Sequence, residues 1–144
     1  MGALCSSATS GHAAGRLQRH DRVGTNDFEK AKGFYDSLFE TIGASRILEF
    51  DRICAWSRQW GQPLFGVALP YDGVEASVGN GTMISLLVDD RAKVDALHGK
   101  AVALGGRCEG RPGLRGEEGP QAFYAAYFRD LDGNKLCAFR MGAA

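Results

Sequence analysis

Two stretches of this chain follow one plan at a constant separation, and that repeat limits the fold more than any other feature. His20 to Gly24 is β-prone, Thr25-Asn26-Asp27 offers helix-capping side chains, and Phe28, Ala31, Phe34, Tyr35, Leu38 and Phe39 recur at helical spacing before Gly43. Met83 to Val88 is β-prone again, followed by the cap Asp89-Asp90 and the helical stripe Val94, Leu97, His98, Ala101 and Leu104, which ends at Gly105-Gly106. His20 and Met83, Asp27 and Asp90, and Gly43 and Gly106 each stand 63 residues apart. A strand–helix unit has been used twice.

Three short β-prone runs follow each helix. In the first half they are Arg46–Phe50, Ile53–Ser57 and Leu64–Leu69; in the second, Arg107–Glu109, Phe123–Arg129 and Lys135–Phe139. The order is βαβββ, twice, with halves at 20–80 and 81–141. A unit of about 60 residues buries too little surface to stand alone, so the halves are expected to share a core within one domain, residues 19–144. The fold class is α+β: two modules pairing into a cup-shaped, partly open β-barrel, with the helices outside. Residues 1–18, rich in Gly, Ala and Ser, read as a flexible tail. Met1-Gly2-Ala3-Leu4-Cys5-Ser6 also fits the short acylation pattern, with Gly2 and Cys5 as its acceptors, although such a loose pattern arises often by chance.

The last two runs form a hairpin signature around Asp130-Leu131-Asp132-Gly133-Asn134. A turn centred on Asp132 sets Tyr127 opposite Cys137, on one face of the sheet. Other features narrow the setting. Lys plus Arg and Asp plus Glu both number 17, so no net field favours nucleic acid. No apolar run is long enough to cross a bilayer. Four cysteines without a Cys-x-x-Cys pair suit free thiols in a cytoplasmic protein.

His20-x-x-x-Gly24-Thr25-Asn26-Asp27, Phe34-Tyr35 and Tyr124 to Lys135 together resemble the vicinal oxygen chelate superfamily: the glyoxalase, bleomycin-resistance and extradiol-dioxygenase proteins. Gly79-Asn80-Gly81-Thr82 and Arg111-Pro112-Gly113-Leu114-Arg115 resemble a bacterial glyoxalase-like subgroup. The resemblance implies a cup and a homodimer, and in the enzymes a divalent metal held by His and Glu ligands. Such a metal acts as a Lewis acid with open positions for substrate oxygens. Carried onto this chain, the ligand positions fall at His20, Met83, Cys137 and, near Phe65, Gly66. Only His20 keeps a usual donor. His20, Met83 and Cys137 would together make a soft site suited to Cu(I), but nothing else in the sequence points to copper. The expectation is therefore a cup without a metal cofactor.

By the same resemblance the cup residues are His20, Trp56, Met83, Arg115, Tyr127 and Cys137. Tyr127 stands before Cys137 at a spacing similar to that of an extradiol-dioxygenase tyrosine. Trp56 suits either the cup or the core, and Arg115 falls in the Gly-rich stretch Arg111 to Pro120, read as a lid loop. Three functions stand open: a small-molecule binder without metal, a metal-dependent glyoxalase-like lyase or dioxygenase, and an interaction module with a vestigial cup.

Overall fold

The computed structural model describes residues 20–144; the tail and its acylation pattern lie outside the described residues. The chain runs β1 (His20–Gly24), α1 (Phe28–Glu40), β2 (Ser45–Glu49), β3 (Ile53–Ser57), β4 (Leu64–Ala68), β5 (Ile84–Leu87), α2 (Arg91–Ala103), β6 (Arg107–Leu114), β7 (Phe123–Arg129) and β8 (Lys135–Met141). This is βαβββ twice, an α+β fold of two modules.

Both helices start where short acids cap them. The Asp27 carboxylate accepts from the Lys30 amide at 3.1 Å and the Asp90 carboxylate from the Lys93 amide at 2.8 Å, each satisfying a donor that the first turn leaves without a partner. The helices end at Glu40 and Ala103, so the spacing of 63 holds at both ends.

The strands form two sheets of four, ordered β1-β4-β3-β2 and β5-β8-β7-β6, with no strand pairing between them. In each, the first strand lies parallel to the last and the remaining neighbours are antiparallel. The registers correspond: Asp21 pairs with Phe65 where Ile84 pairs with Leu136, and Arg22 with Gly66 where Ser85 pairs with Cys137. The sheets do not close, and the cup is partly open.

Each helix covers one face of its own sheet. Tyr35 and Phe39 of α1 pack on Trp56 and Phe65. Val94, Leu97 and Ala101 of α2 share one continuous core with Ala126, Phe128, Leu136 and Ala138 of the second sheet. The helices touch each other, and that core runs through both modules. Burial of this apolar surface is the main term holding the halves together.

Polar bonds tie the halves at the β7–β8 turn. The Tyr35 hydroxyl donates to the buried Asp130 carboxylate at 2.5 Å, the Asn134 side-chain amide donates to the Gly24 carbonyl at 2.9 Å, and the Asn26 amide donates to Asp132 at 2.9 Å. The connection between modules is held to the first half by Asn26, whose side chain exchanges two hydrogen bonds with the Ala76 backbone. Among the described residues no helix is long and apolar enough to cross a membrane.

One strand differs from expectation. Gly110-Arg111-Pro112-Gly113 belongs to β6, which reaches Leu114 through two irregularities against β7. An edge strand has one unpaired side, so it tolerates Pro and Gly that a central strand would not. Arg115 therefore stands immediately after a strand end, as the first residue of the connection to β7.

Candidate functional site: the open faces of the two sheets

Alternation along the strands assigns each residue to the helix side or the open side. In the first sheet, His20, Arg22, Ala55 and Gly66 share the open side, because Ala55 pairs with Gly66 and Arg22 stands beside it. A Cβ at Gly66 would lie 3.6 Å from His20 Nε2 and 3.8 Å from the Ala55 Cβ. The floor here is small, with one imidazole beside it.

In the second sheet the same row is Ser85, Cys137, Tyr127 and Gly110. Tyr127 faces Cys137 across the β7–β8 hairpin, as a turn centred on Asp132 requires. One step along is an apolar row, Leu87, Phe139 and Ala125, and beyond it Phe123 stacks on Phe139 at 5.5 Å between centroids. In the opposite direction lie Lys135 and Arg129. The face is thus graded from apolar at the Phe123–Phe139 end to cationic at the Lys135 end.

Tyr127 is held between two cations. The Arg115 guanidinium lies 5.3 Å and the Lys135 ammonium 5.7 Å from its ring centroid, within range of the ring's negative face. Cys137 is 1 % exposed. Burial pushes its thiol up, and Ser85, Arg115, Lys135 and Tyr127 pull against that shift. A thiol raised by burial is a neutral, weakly polar wall and a poor metal ligand or nucleophile.

The expected cup residues separate into three places. Cys137, Tyr127 and Arg115 come together on the second sheet, with Met83 just before β5 on the same side by alternation and partly exposed. His20 stands on the first sheet beside Gly66. Trp56 requires a correction: it faces the helix. Its indole N–H donates to Asp36 of α1 at 2.9 Å, its ring packs on Tyr35 and Phe39, and it is 1 % exposed. A bulky ring with one polar edge is satisfied there by apolar packing and a single carboxylate.

Trp56 does contribute to a cavity of about 500 Å³ at the junction of the modules, with Phe39, Phe65, Leu86, Leu87 and Phe139 among its walls. Leu87, Phe139 and Ser85 belong both to this cavity and to the open face of the second sheet, so the cavity adjoins that face's apolar end. Residues 21, 39, 56, 86 and 139 are too scattered for sequence to have joined them. Ser85, Lys135 and Phe139 were also missed. Their signal was available: they share the parity of Cys137 or of its partner strand.

The four positions that the family resemblance marks as metal ligands, His20, Met83, Cys137 and Gly66, carry here an imidazole, a thioether, a buried thiol and no side chain. Among the described residues no three His, Cys, Asp or Glu side chains lie close enough to hold an ion. The donor set does not fit a Lewis-acid site, which needs about three protein ligands.

Comparisons with known proteins agree with the fold. The chain is 35 % identical to a glyoxalase/bleomycin resistance protein from Albidiferax ferrireducens T118, whose crystal structure it matches with a TM-score of 0.74 over 84 % of this chain and 95 % of that one. It also matches the hypothetical protein SA1046 from S. aureus (24 % identity, TM-score 0.63, 86 % and 93 % covered). A third similar fold is lactoylglutathione lyase from Agrobacterium tumefaciens (19 % identity, TM-score 0.60, 88 % and 95 % covered). No curated protein matches. The family model described as Glyoxalase/Bleomycin resistance protein/Dioxygenase superfamily matches residues 11–138. The chain belongs to that superfamily.

Proposed function

We propose that this protein binds a small organic molecule on its open faces, in a cup that works without a catalytic metal. The observation that carries the reading is the row Ser85–Cys137–Tyr127 with its apolar neighbours Leu87 and Phe139. Where a metal-dependent relative places a carboxylate, this chain has a buried neutral thiol beside an aromatic ring. Such a surface favours contact with apolar and planar groups over chelation of a hard cation. The protein acts as a cytoplasmic homodimer. Leu87 and Met141 on the open face of the second sheet are 63 % and 59 % exposed, and a second copy of the chain covers them while completing the enclosure of the ligand.

The test is native mass spectrometry of protein purified without chelators, with elemental analysis of the same sample and light scattering for mass. The expected result is a dimer of substoichiometric metal content that retains or takes up an organic molecule. One equivalent of Zn, Ni, Mn or Fe, lost together in His20→Ala and Cys137→Ala, would establish the metal enzyme instead. A monomer at micromolar concentration removes the dimer.

A further inference from the structure

We infer that the ligand is an organic anion: an apolar or planar body lying toward Phe139, with a carboxylate or similar acid group held by Arg115 and Lys135. This rests on the open face of the second sheet being the ligand site, and goes beyond it by fixing the charge and orientation of what binds.

Arg115 is built into its place. Its two terminal nitrogens donate to the Arg111 carbonyl at 2.7 Å and to the Gly113 carbonyl at 3.3 Å, which folds the side chain back along β6. The slot it occupies exists because two residues lack side chains. A Cβ at Gly110 would lie 3.2 Å from one guanidinium nitrogen and 2.9 Å from the Tyr127 ring, and a Cβ at Gly113 would lie 3.3 Å from the other nitrogen. Backbone carbonyls take up part of a guanidinium's five donors but none of its charge. Five of the ten described arginines meet a carboxylate: Arg46 meets Asp36, Arg58 meets Asp89, Arg91 meets Glu118, and Arg107 and Arg129 share Glu109. Among the described residues neither Arg115 nor Lys135 is in an ion pair.

Two cations therefore flank one aromatic ring, one of them held in position before any ligand arrives and both without a counter-charge. A cationic ligand is repelled from this end, and a neutral one gains nothing from it. An anion gains a charge-assisted contact from a donor already ordered, and loses little entropy in making it. The apolar rows lie at the other end of the face, so the ligand's body is directed toward Phe139 and the adjoining cavity.

The experiment compares two fluorescent probes of similar shape, 1-anilinonaphthalene-8-sulfonate, an anion, and N-phenyl-1-naphthylamine, its neutral counterpart, titrated into the full chain at low salt. The sulfonate is expected to bind about tenfold more tightly, the order of magnitude of one charge-assisted contact, and to lose that advantage as salt is raised. Arg115→Gln and Lys135→Gln each weaken the sulfonate severalfold and leave the neutral probe unchanged, which also shows that the variants are folded. Arg52→Gln, on the first module, changes neither. Equal affinity for the two probes, or a sulfonate affinity indifferent to both variants, overturns the anion inference while leaving a ligand site standing. Failure of both probes to bind overturns the ligand site and the inference with it.

Discussion

The two modules share an architecture and differ in what they place on it. The row across the first sheet's open face reads Arg22, Gly66, Ala55; the corresponding row of the second reads Ser85, Cys137, Tyr127. On the helix side the correspondence is of kind as well as place, since Trp56 and Phe65 stand where Phe128 and Leu136 stand, all buried and apolar. The difference follows from what each side must do. Helix-facing residues fill a shared core in which every methylene is felt, so their character is constrained. Open-face residues meet solvent or ligand, and there the modules have diverged to leave a floor of Gly66 and Ala55 beside His20 and Arg22 on one sheet and an aromatic row flanked by Arg115 and Lys135 on the other.

The largest effect we predict separates the modules at the ends of their helices. Gly43 and Gly106 correspond by spacing, yet they are glycines for different reasons. Gly43 has φ of 72° and open space around it; after α2 the left-handed residue is Gly105, one position earlier. Gly106 is instead pressed against backbone, where a Cβ would lie 2.7 Å from both the Ala101 and Arg129 carbonyl oxygens. Gly106→Ala should cost roughly 3 kcal/mol, because neither oxygen belongs to a flexible side chain. Gly43→Ala should cost about 1 kcal/mol, the strain of a left-handed alanine. Urea denaturation measures both. Equal losses would mean that the two helix ends are equivalent after all.

A second contrast lies at Tyr35 and His98, which also correspond by the repeat. His98 bonds within its own module, through Nε2 at 3.2 Å to the Cys108 sulfur. Tyr35 crosses to the other module and donates to Asp130. Burial raises the Asp130 carboxyl above the ordinary range, while Tyr35 and Asn134 stabilise its charged form. A carboxyl raised on folding binds protons more readily in the native state, so stability from this group is greatest below the ordinary carboxylate range and declines as pH rises through the folded value. Tyr35→Phe removes a donor to the charged form and raises that value further. We expect a loss of about 1–2 kcal/mol at neutral pH that shrinks as pH falls toward about 4. A loss independent of pH would show that the hydroxyl serves only as packing.

Trp56→Phe makes the first module resemble the second, where phenylalanine already fills that position. It removes the indole hydrogen bond to Asp36, while Arg46 still pairs with that carboxylate. The expected cost is about 1 kcal/mol in stability, with at most a small change in affinity for the naphthyl probes, because Trp56 forms only one wall of the adjoining cavity. A weaker probe with an unaltered stability would return Trp56 to the ligand site.

The sequence made the repeat, both helices and the hairpin pairing of Tyr127 with Cys137 readable, because each rests on local periodicity or turn chemistry. The side to which Trp56 points was not readable. Cys54, Ala55, Trp56 and Ser57 are all buried, so β3 offers no alternation of polar and apolar residues from which to assign its faces. The end of β6 was hidden for another reason: Gly110, Pro112 and Gly113 carry loop composition, and an edge strand is where such residues survive within a sheet. The seat of Arg115 depends on that strand. The spacing of the two glycines gains meaning only when both lie beneath the same side chain.

The smallest predicted effect concerns that same edge. In the first module three residues join β2 to β3, whereas 115–122 join β6 to β7 in the second. This longer connection is fastened to the start of α2 by Arg91, which makes two contacts of 2.7 Å with the Glu118 carboxylate and also donates to the Gly142 carbonyl at 3.1 Å. Arg91 and the Gly119 amide hold the Glu118 carboxyl down to about 2. A carboxyl depressed on folding contributes stability above its ordinary range, and the contribution fades as pH falls through the folded value. Glu118 is half exposed and its charge is screened, so the ion pair itself should add little to global stability. The Gly119 amide, which donates to Glu118 at 3.1 Å, reports the change directly. Its nuclear magnetic resonance signal should titrate with a midpoint near 2 in the unaltered chain, and in Arg91→Gln the midpoint should rise toward the ordinary carboxylate range, held short of it by the Gly119 amide. An unchanged midpoint in that variant would mean that the connection is held by its own backbone, and that Arg115 owes its place to β6 alone.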